Sequence, residues 1–520
     1  MKKVYFLLCV VMTTLTISLF AQPGTLDTEF GAGGTVITDL GSIYDEATSM
    51  AIQPDGEIVA AGMYGNSYLV YDFALVRYNL NGSLDNSFGT GGIVTTDYNS
   101  SMDQTKSVIV QPDGKIVVAG YSIIAGDADF VVMRYNSNGT LDNTFNALGF
   151  VSANISFDDE AFAVARQNDG KIVIVGTTYV GICDEFVVIR LSSDGMIDGS
   201  FGPGGYVTTN MGGEVSVAAS MAIQPDGKII AAGYTMTSWI CDFAMARYNP
   251  DGTLDNSFSS DGMLTTDLGS VNDHITSIIL QPDGKIVAAG GCDDGSSHPD
   301  FALVRYLPDG TLDNSFGSSG LVITPVTPDN DWANSAMLQH DGKIVVAGET
   351  NNGTNSSSVL VRYLSNGSLD NSFGIGGIVI TDMGTKQSRA RGVALEPDGK
   401  IVTAGASFDM TDGDFALARY IADINHVGVL DFSEMKNSIL IYPNPVQGEA
   451  TLGYTLTQNE EVSICLTDMQ GRILQSYLDR EKQEAGTHEQ TIILPERLPS
   501  GNYLLTISSL KGQMCIKIIK

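Results

Sequence analysis

The chain has 520 residues, which is more than one ordinary hydrophobic core supports, so it contains several domains or one long repeat array. Its formal net charge of -32 argues against nucleic acid and anionic membranes as partners. Fifty-eight glycines and only 17% charged residues favour short buried strands joined by tight turns. The composition therefore predicts an all-β fold.

The first predicted element is a signal peptide at residues 1–21. Lys2 and Lys3 precede an apolar stretch that ends at Phe20, and the small residue Ala21 marks the expected cleavage point. No later segment reaches the roughly 20 apolar residues that a membrane-spanning helix needs, so no membrane insertion is expected after processing. The remaining cysteines are odd in number and form no C-x-x-C pair, which predicts mostly free, buried thiols.

Two phrases then recur through residues 22–425. Gln-Pro-Asp-Gly-Lys and Leu-Asp-x-Ser-Phe, or close variants of them, each occur seven times, at intervals of 56 to 58 residues. The aspartates of the second phrase are Asp27, Asp85, Asp142, Asp198, Asp255, Asp313 and Asp370. The spacing predicts seven structurally equivalent units.

Each unit is predicted to contain four antiparallel strands. In the second copy, strands are expected at Ser107 to Gln111, Lys115 to Tyr121 and Asp129 to Asn136, with a Pro-Asp-Gly turn between the first two. A Gly-x-Val-x-Thr phrase, such as Gly92 to Asp97, supplies the outer strand. Four strands per repeat are typical of a β-propeller blade, so the array predicts a seven-bladed propeller.

The phase of the repeats predicts how the ring closes. The array begins with an outer-strand phrase, Thr25 to Asp39, and ends with a third-strand phrase, Asp414 to Tyr420. We therefore expect these two segments to share one sheet, because this pairing removes the free edges that an open array would leave.

The repeated phrases also resemble a known family. Gly-Thr-Leu-Asp-Asn-Ser-Phe-Gly, Gln-Pro-Asp-Gly-Lys-Ile-Val and Asp-Phe-Ala-Leu-Val-Arg-Tyr resemble the delta-60 repeats of bacterial surface and secreted proteins. The resemblance covers about four fifths of the chain and implies a β-propeller. It implies no particular enzymatic activity.

One arginine recurs in every copy. We expect each guanidinium to pair with a repeat carboxylate such as the Leu-Asp aspartate, because a buried arginine needs a partner. A seven-fold anion site is the alternative. The arginines are Arg77, Arg134, Arg190, Arg247, Arg305, Arg362 and Arg419.

An aspartate stands eight residues before the Gln of the first phrase in five of the seven copies. If it precedes the strand that lines the axis, the carboxylates would ring one mouth of the channel and could bind Ca²⁺. The alternative is that each aspartate caps its own loop through backbone hydrogen bonds. The five are Asp45, Asp103, Asp159, Asp273 and Asp331.

The segments that join the second and third strands differ in every copy, whereas the turns at the opposite face are nearly invariant. Binding surfaces usually lie where sequence diverges on a repeated scaffold. Trp239, His274 and Trp332 fall on this variable face, so we assign them to a ligand-binding face.

After a linker at residues 426–437, a different composition begins. Residues 438–520 alternate like strands of an Ig-like β-sandwich. Tyr-Pro-Asn-Pro, Leu-Thr-Asp-Met-Gln-Gly-Arg and Pro-Ser-Gly-Asn-Tyr resemble a type A sorting domain of the type IX (Por) secretion system. The resemblance implies handling by that machinery through Pro443, Pro445, Gly471, Gly501, Tyr503 and Lys520, and delivery to the medium or the outer surface of a Gram-negative bacterium.

The sequence predicts no catalytic or cofactor-binding residues, because the few histidines form no triad and no glycine-rich phosphate loop opens a helix. The leading hypothesis is a non-catalytic binding protein whose ligand is an extracellular glycan or protein. An extracellular propeller hydrolase or lyase acting on glycans and a structural surface component are the alternatives.

Overall fold

The computed structural model describes residues 22–67, 70–293, 298–351, 353, 355–383, 387–409, 411–422, 440–456, 459–467, 473–495, 498, 502–509 and 512–520. The predicted signal peptide and linker lie outside these residues. The chain divides into two compact units, Met1–Asp423 and Ile424–Lys520. No segment in the described ranges forms a helix that is long and apolar enough to cross a membrane.

The first unit consists of seven antiparallel four-stranded blades. The first strands are β2 (Tyr44–Ile52), β6 (Asp103–Val110), β10 (Phe157–Arg166), β14 (Val215–Ile223), β18 (Asn272–Leu280), β22 (Asp331–Leu338) and β26 (Gln387–Leu395). The second strands are β3 (Ile58–Ser67), β7 (Ile116–Ile124), β11 (Ile172–Val180), β15 (Ile229–Thr237), β19 (Ile286–Asp293), β23 (Ile344–Asn351) and β27 (Ile401–Phe408).

The third strands are β4 (Val70–Tyr78), β8 (Asp127–Tyr135), β12 (Cys183–Leu191), β16 (Ile240–Tyr248), β20 (Pro299–Tyr306), β24 (Ser356–Tyr363) and β28 (Gly413–Tyr420). The short outer strands are β1 (Thr35–Thr38), β5 (Ile93–Thr96), β9 (Phe150–Ala153), β13 (Tyr206–Thr209), β17 (Met263–Thr266), β21 (Leu321–Thr324) and β25 (Ile378–Thr381). The fold class predicted from the sequence is confirmed.

The predicted closure is also confirmed. Strand β1 pairs with β28, with Thr35 opposite Ala418 and Thr38 opposite Phe415. The last blade therefore consists of β26, β27, β28 and the N-terminal strand β1. The sheet edge that an open array would expose is covered.

The seven first strands surround the propeller axis. Each first strand contacts the first strands of the two neighbouring blades, and β26 contacts β2, so the ring is continuous. Serine side chains bond these strands to one another. Ser49, for example, accepts a hydrogen bond from the backbone N–H of Val108 at 3.2 Å, and Ser107 accepts one from Val164 at 3.2 Å.

Every first strand contains a β-bulge. In the third blade Phe162 is the extra residue, and the preceding carbonyl of Glu160 is pushed toward Gly176. A Cβ at Gly176 would lie 1.9 Å from that carbonyl oxygen, so only glycine fits. The equivalent close contacts, 1.8 to 2.0 Å, occur at Gly62, Gly120, Gly176, Gly233, Gly290, Gly348 and Gly405.

The repeated arginines pair with the Leu-Asp aspartates, as the sequence predicts. Arg134 Nε lies 2.7 Å from Asp142 Oδ2, and its Cζ lies 4.5 Å from the centre of the Phe145 ring. Its Nη1 also donates to the Ser193 carbonyl of the next blade at 2.5 Å. Lys115, from the Gln-Pro-Asp-Gly-Lys phrase, reaches the same carboxylate at 2.8 Å. The two repeated phrases therefore form one ion cluster that joins neighbouring blades.

The strand bounds of the second blade differ from the prediction at more than one end, and β7 continues to Ile124 rather than ending at Tyr121. Strand β6 begins at Asp103 rather than Ser107, because pairing with β7 continues on both sides of the bulge. The segments predicted as variable loops are largely strand, and several end in two-residue turns, such as Ser238-Trp239 between β15 and β16. Cys183, Cys241, Cys292 and Cys465 are free thiols, but only Cys292 of these four is buried, so the prediction of mostly buried thiols is wrong.

The second unit contains two sheets. One comprises β29 (Leu440–Gln447), β30 (Glu449–Leu456) and β33 (Gly486–Ile493). The other comprises β31 (Glu460–Thr467), β32 (Ile473–Gln483), β34 (Asn502–Ser509) and β35 (Gly512–Ile519). Leu452, Ile464 and Leu505 belong to one buried apolar cluster that both sheets share. The Ig-like assignment stays a prediction.

Candidate binding site at the mouth of the propeller axis

One position in each first strand carries a side chain that differs from blade to blade. It lies two residues before the bulged residue and is partly exposed, whereas the residues on either side of it are buried in every blade. We call these seven the mouth residues: Glu46, Gln104, Glu160, Val217, His274, Trp332 and Arg389. They lie at the end of the axis where the divergent hairpins of the second and third strands turn.

One side of this mouth is ionic. Glu46 Oε2 accepts a hydrogen bond from Arg389 Nη2 at 2.7 Å, and Oε1 accepts one from Arg391 Nε at 2.8 Å. Burial alone would raise the pKa of Glu46, but the two guanidinium groups outweigh it and hold that pKa below its ordinary value. Since Glu46 is in the first blade and both arginines are in the last, these pairs cross the seam where the ring closes.

A lysine lies on the axis beside this cluster. Lys106 is the bulged residue of β6, and its ammonium lies 5.5 Å from the Tyr121 ring centre and 5.7 Å from the Phe162 ring centre. Burial lowers its pKa, and the carboxylates of Glu160 and Glu46 oppose that shift. The ionic side of the mouth therefore contains cations and carboxylates in close balance.

A cavity of about 310 Å³ opens on the ionic side, between the last and the first two blades. Tyr44, Tyr71, Gln104 and Phe408 contribute to its lining, together with Arg389. The Arg389 Cζ lies 4.5 Å from the Phe408 ring centre. Its lining carboxylates include Glu46, which is paired with the two arginines.

A second cavity, of about 500 Å³, opens on the opposite side of the mouth across the fourth, fifth and sixth blades. It contains no lysine or arginine among its lining residues. The lining residues are Val215, Tyr234, Met236, Cys241, Asn272, His274, Asp293, Pro299, Asn330 and Trp332. We call it the aromatic cavity.

The structure brings together two of the three residues assigned to the ligand face. His274 and Trp332 are mouth residues of adjacent blades and both line the aromatic cavity. Trp239 does not line it; it lies at the tip of the β15–β16 hairpin, with 81% of its surface exposed. Its φ of 67° is unusual for a bulky residue. The hairpin that carries Trp239 also supplies Tyr234, Met236 and Cys241 to the cavity.

The five aspartates predicted to ring the mouth are buried. Asp103 Oδ2 accepts a hydrogen bond from the Tyr98 N–H at 2.8 Å, and Oδ1 accepts one from Ser122 Oγ at 2.5 Å. Asp331 Oδ2 accepts from the Val326 N–H at 2.7 Å. The other three make equivalent bonds to the loop that precedes their strand.

These contacts correct the expected arrangement. Since each aspartate lies inside its first strand rather than before it, its side chain turns away from the mouth and into its own loop. In the described ranges, each group of three potential ligand side chains within 4.8 Å contains only one of the five aspartates. The loop-capping alternative accounts for all five.

Two of these aspartates belong to clusters of three carboxylates between neighbouring blades. Asp72, Asp97 and Asp103 form one cluster, and Asp242, Asp267 and Asp273 form the other, with carboxylate oxygens within 4.8 Å of one another. Burial raises the pKa of Asp103 to about 6, and the charges of Asp72 and Asp97 add to the shift. In the next blade Asn154 takes the place of Asp97, and its amide donates to Asp129 at 2.6 Å.

The residues assigned to sorting lie in the second unit. Pro443 and Pro445 are in β29, and Tyr503 is buried in β34. Lys520 Nζ donates to the carbonyls of Pro495 at 3.2 Å and Leu498 at 2.6 Å. Gly471 and Gly501 lie outside the described residues.

Most of the mouth residues were missed by the sequence prediction. The aspartate column attracted attention because five copies share it, whereas the adjacent column, which contains the mouth residues, has six residue types in seven copies. When the seven copies are aligned, the position of the mouth residues varies, whereas the buried position next to it repeats. That variation was the signal that could have identified the mouth residues.

Two protein families match the chain. The family described as a domain of unknown function (DUF5122) beta-propeller matches seven separate segments, and the secretion system C-terminal sorting domain matches residues 440–520. The seven segments are residues 53–88, 111–145, 167–201, 224–258, 281–316, 339–373 and 396–423.

Several solved structures share the architecture. The polysaccharide lyase Uly1 is 12% identical, with a TM-score of 0.43 over 73% of this chain and 91% of that chain. Sqt1 of Chaetomium thermophilum is 14% identical, with a TM-score of 0.41 over 74% and 96%. A PL25 ulvan lyase is 11% identical, with a TM-score of 0.39 over 78% and 95%. These are likenesses of fold alone. No curated protein sequence matches the chain significantly.

Proposed function

Because the chain carries seven repeats of the DUF5122 beta-propeller family and ends in a secretion system C-terminal sorting domain, we propose that it is a non-catalytic binding protein exported by the type IX system. Its site is the mouth of the propeller axis on the variable face. It acts in the medium or at the outer cell surface, where its ligand is a glycan or a protein.

The observation that carries this proposal is the contrast between neighbouring positions of the paired first and second strands. The glycine opposite each bulge is the same in all seven blades, whereas the mouth residues comprise six different residue types. A scaffold alone does not need such divergence at equivalent, partly exposed positions. Ligand recognition does, because each blade then contributes a different group to one surface.

The chemistry of the mouth favours binding over catalysis. A glycoside hydrolase needs two carboxyl groups across the bond that is cut. The described lining of the aromatic cavity contains one carboxylate, Asp293. The cavity on the ionic side has four carboxylates in its described lining, Asp45, Glu46, Asp409 and Asp412. Asp45 and Asp409 accept hydrogen bonds from their own loops, and Glu46 is paired with two arginines.

The test compares the full-length secreted protein with a His274→Ala/Trp332→Ala double variant on an array of extracellular glycans and in pull-downs with cell-surface proteins. Met196→Ala is the control, because Met196 is exposed in a turn at the opposite end of the blades. We expect binding to be lost in the double variant and kept in the control. Equal binding by both would overturn the mouth as the site, and release of shortened or unsaturated sugars would overturn the non-catalytic assignment.

A further inference from the structure

The aromatic cavity depends on a glycine found at this register in only one blade. Gly291 lies opposite His274 in β19. The other six blades have a side chain at the same register: Met63, Tyr121, Thr177, Tyr234, Glu349 and Ala406. A Cβ at Gly291 would lie 2.7 Å from His274 Cε1. The missing side chain therefore lets the imidazole fold back onto the strand and leaves the space beside it open.

The polar groups of this cavity have unused hydrogen-bonding capacity. Within the described part of the chain, the Tyr234 hydroxyl, the Asn272 amide and the Trp332 indole N–H have no hydrogen-bond partner. The Asn330 amide oxygen lies 3.0 Å from His298 Nδ1. Donors and acceptors that the protein leaves free around a concave surface are available to a polar ligand.

The aromatic rings provide the complementary apolar surface. Trp332 and Tyr234 enter the cavity from the sixth and fourth blades, on either side of His274 in the fifth. Each ring presents a flat apolar face with a polar group at its edge. This combination matches a pyranose ring, which has an apolar C–H face and hydroxyl groups around its rim.

The charges of the cavity disfavour an anionic ligand. Among the residues that the structure describes, no lysine or arginine lines it to pair with a carboxylate or sulfate. Burial holds the pKa of His274 below its ordinary value, although the Asp273 charge opposes the shift, so the imidazole is neutral at pH 7. The net charge of -32 further repels anions.

We propose that the aromatic cavity binds uncharged sugar residues of an extracellular polysaccharide, stacked on Trp332 and Tyr234 and hydrogen-bonded by Asn272 and Asn330. This inference rests on the proposed function and names the ligand class for one side of the same mouth.

The two tryptophans allow a direct test, because only Trp332 lines the cavity. In a full-length Trp239→Phe protein, Trp332 is the only tryptophan and its fluorescence reports on the cavity. We expect cello-, xylo- or manno-oligosaccharides to change this fluorescence saturably, whereas anionic oligogalacturonate does not. Calorimetry on the wild-type protein then gives the affinity of the sugar that binds.

Two variants separate binding from folding. Gly291→Ala would place a Cβ 2.7 Å from His274 Cε1 and so displace the imidazole that lines the cavity. The last blade already has alanine at this register, Ala406, so the fold should persist. Gly291→Ala and Trp332→Ala should each weaken binding about tenfold or more, whereas Met196→Ala, in an exposed turn at the opposite end of the blades, should change it within about twofold.

The outcomes distinguish the two proposals. An acidic or cationic oligosaccharide whose binding Gly291→Ala weakens would overturn the neutral-sugar inference and leave the mouth as the binding site. Neutral-sugar binding that Gly291→Ala and Trp332→Ala leave unchanged would also overturn the inference. Glycan or protein binding that no mouth variant affects would overturn both.

Discussion

The Arg419 guanidinium lies 2.8 Å from the Asp27 carboxylate, Nε to Oδ2, although 392 residues separate the two in the chain. In the other blades the equivalent arginine and aspartate are eight residues apart. In most blades this ion cluster therefore joins residues that are close together in the chain. In the last blade it joins residues from the two ends of the repeat array and so closes the ring. Lys400 also contacts Asp27, at 3.0 Å.

Asp27→Ala should therefore destabilise the protein more than Asp85→Ala, its equivalent in the first blade. Both variants remove the closest carboxylate of a buried arginine. Arg77 keeps Glu57 at 3.2 Å and Arg419 keeps Glu396 at 3.5 Å, so each variant should cost less than the roughly 3–5 kcal/mol of a buried charge left unpaired. Only Asp27→Ala also loosens the N-terminal strand β1 from β28. We expect a lower melting temperature for both variants, and faster hydrogen exchange across Thr35–Thr38 for Asp27→Ala alone.

One result of comparing Asp27→Ala with Asp85→Ala would contradict this prediction. Equal melting temperatures and equal protection of β1 in the two variants would mean that closure does not depend on this ion pair. The pairing of β1 with β28 would then be sufficient.

The bulge glycines give a second prediction. Gly176→Ala would place a Cβ 1.9 Å from the Glu160 carbonyl oxygen, and backbone cannot move aside as a flexible side chain can. We expect a loss of at least about 2 kcal/mol in the free energy of unfolding. Gly199→Ala is the control, because no atom lies within 4 Å of a Cβ there. Denaturant unfolding measures both, and similar midpoints would contradict the steric argument.

The sequence predicted the repeat architecture because the spacing of the phrases, the turn residues and the order of the phrases all indicated the same fold. Phrase spacing gave seven units, turn residues separated the strands, and the phase of the first and last phrases gave the pairing of β1 with β28. The arginine partner was also predictable, since a buried guanidinium requires a carboxylate and only one repeats beside it.

The bulge and the mouth were harder to predict for a physical reason. A bulge shifts which residues of a strand point toward the axis. The alternation of side chains in the sequence does not reveal where a bulge lies. The aspartates were therefore placed at the mouth, whereas the adjacent residues, such as Glu46 and His274, lie there. The aromatic cavity also depends on the absence of a side chain at Gly291, which in the sequence resembles any other strand glycine.

The mature protein is the third prediction. Residues 1–21 resemble a signal peptide, and the match to a sorting domain at residues 440–520 indicates a segment that is removed after export. Intact-mass analysis of the culture medium and surface fractions should therefore find a protein without either segment. A secreted protein that keeps Lys520 would contradict removal of the sorting domain.

The carboxylate cluster of Asp72, Asp97 and Asp103 gives the fourth prediction. The pKa of Asp103 is raised to about 6 by burial and by its neighbours' charges, above the value of about 3.9 in an unfolded chain. The folded state therefore binds this proton more tightly, so stability falls as pH rises from about 4 through 6. Calcium, proposed from the sequence, would offset this loss by neutralising the cluster.

Asp97→Asn tests both effects, because Asn154 already occupies the equivalent position in the next blade. Removing one charge should raise the melting temperature at pH 7.5 in chelator and flatten its decline between about pH 4 and 6. Millimolar calcium should raise the melting temperature of the wild-type protein more than that of the variant. Asp113→Asn removes one charge from an exposed turn and controls for net charge.

Two results would contradict these expectations. If calcium leaves the wild-type melting temperature unchanged, the cluster binds no calcium. If Asp97→Asn behaves like Asp113→Asn, the charges of the cluster do not interact.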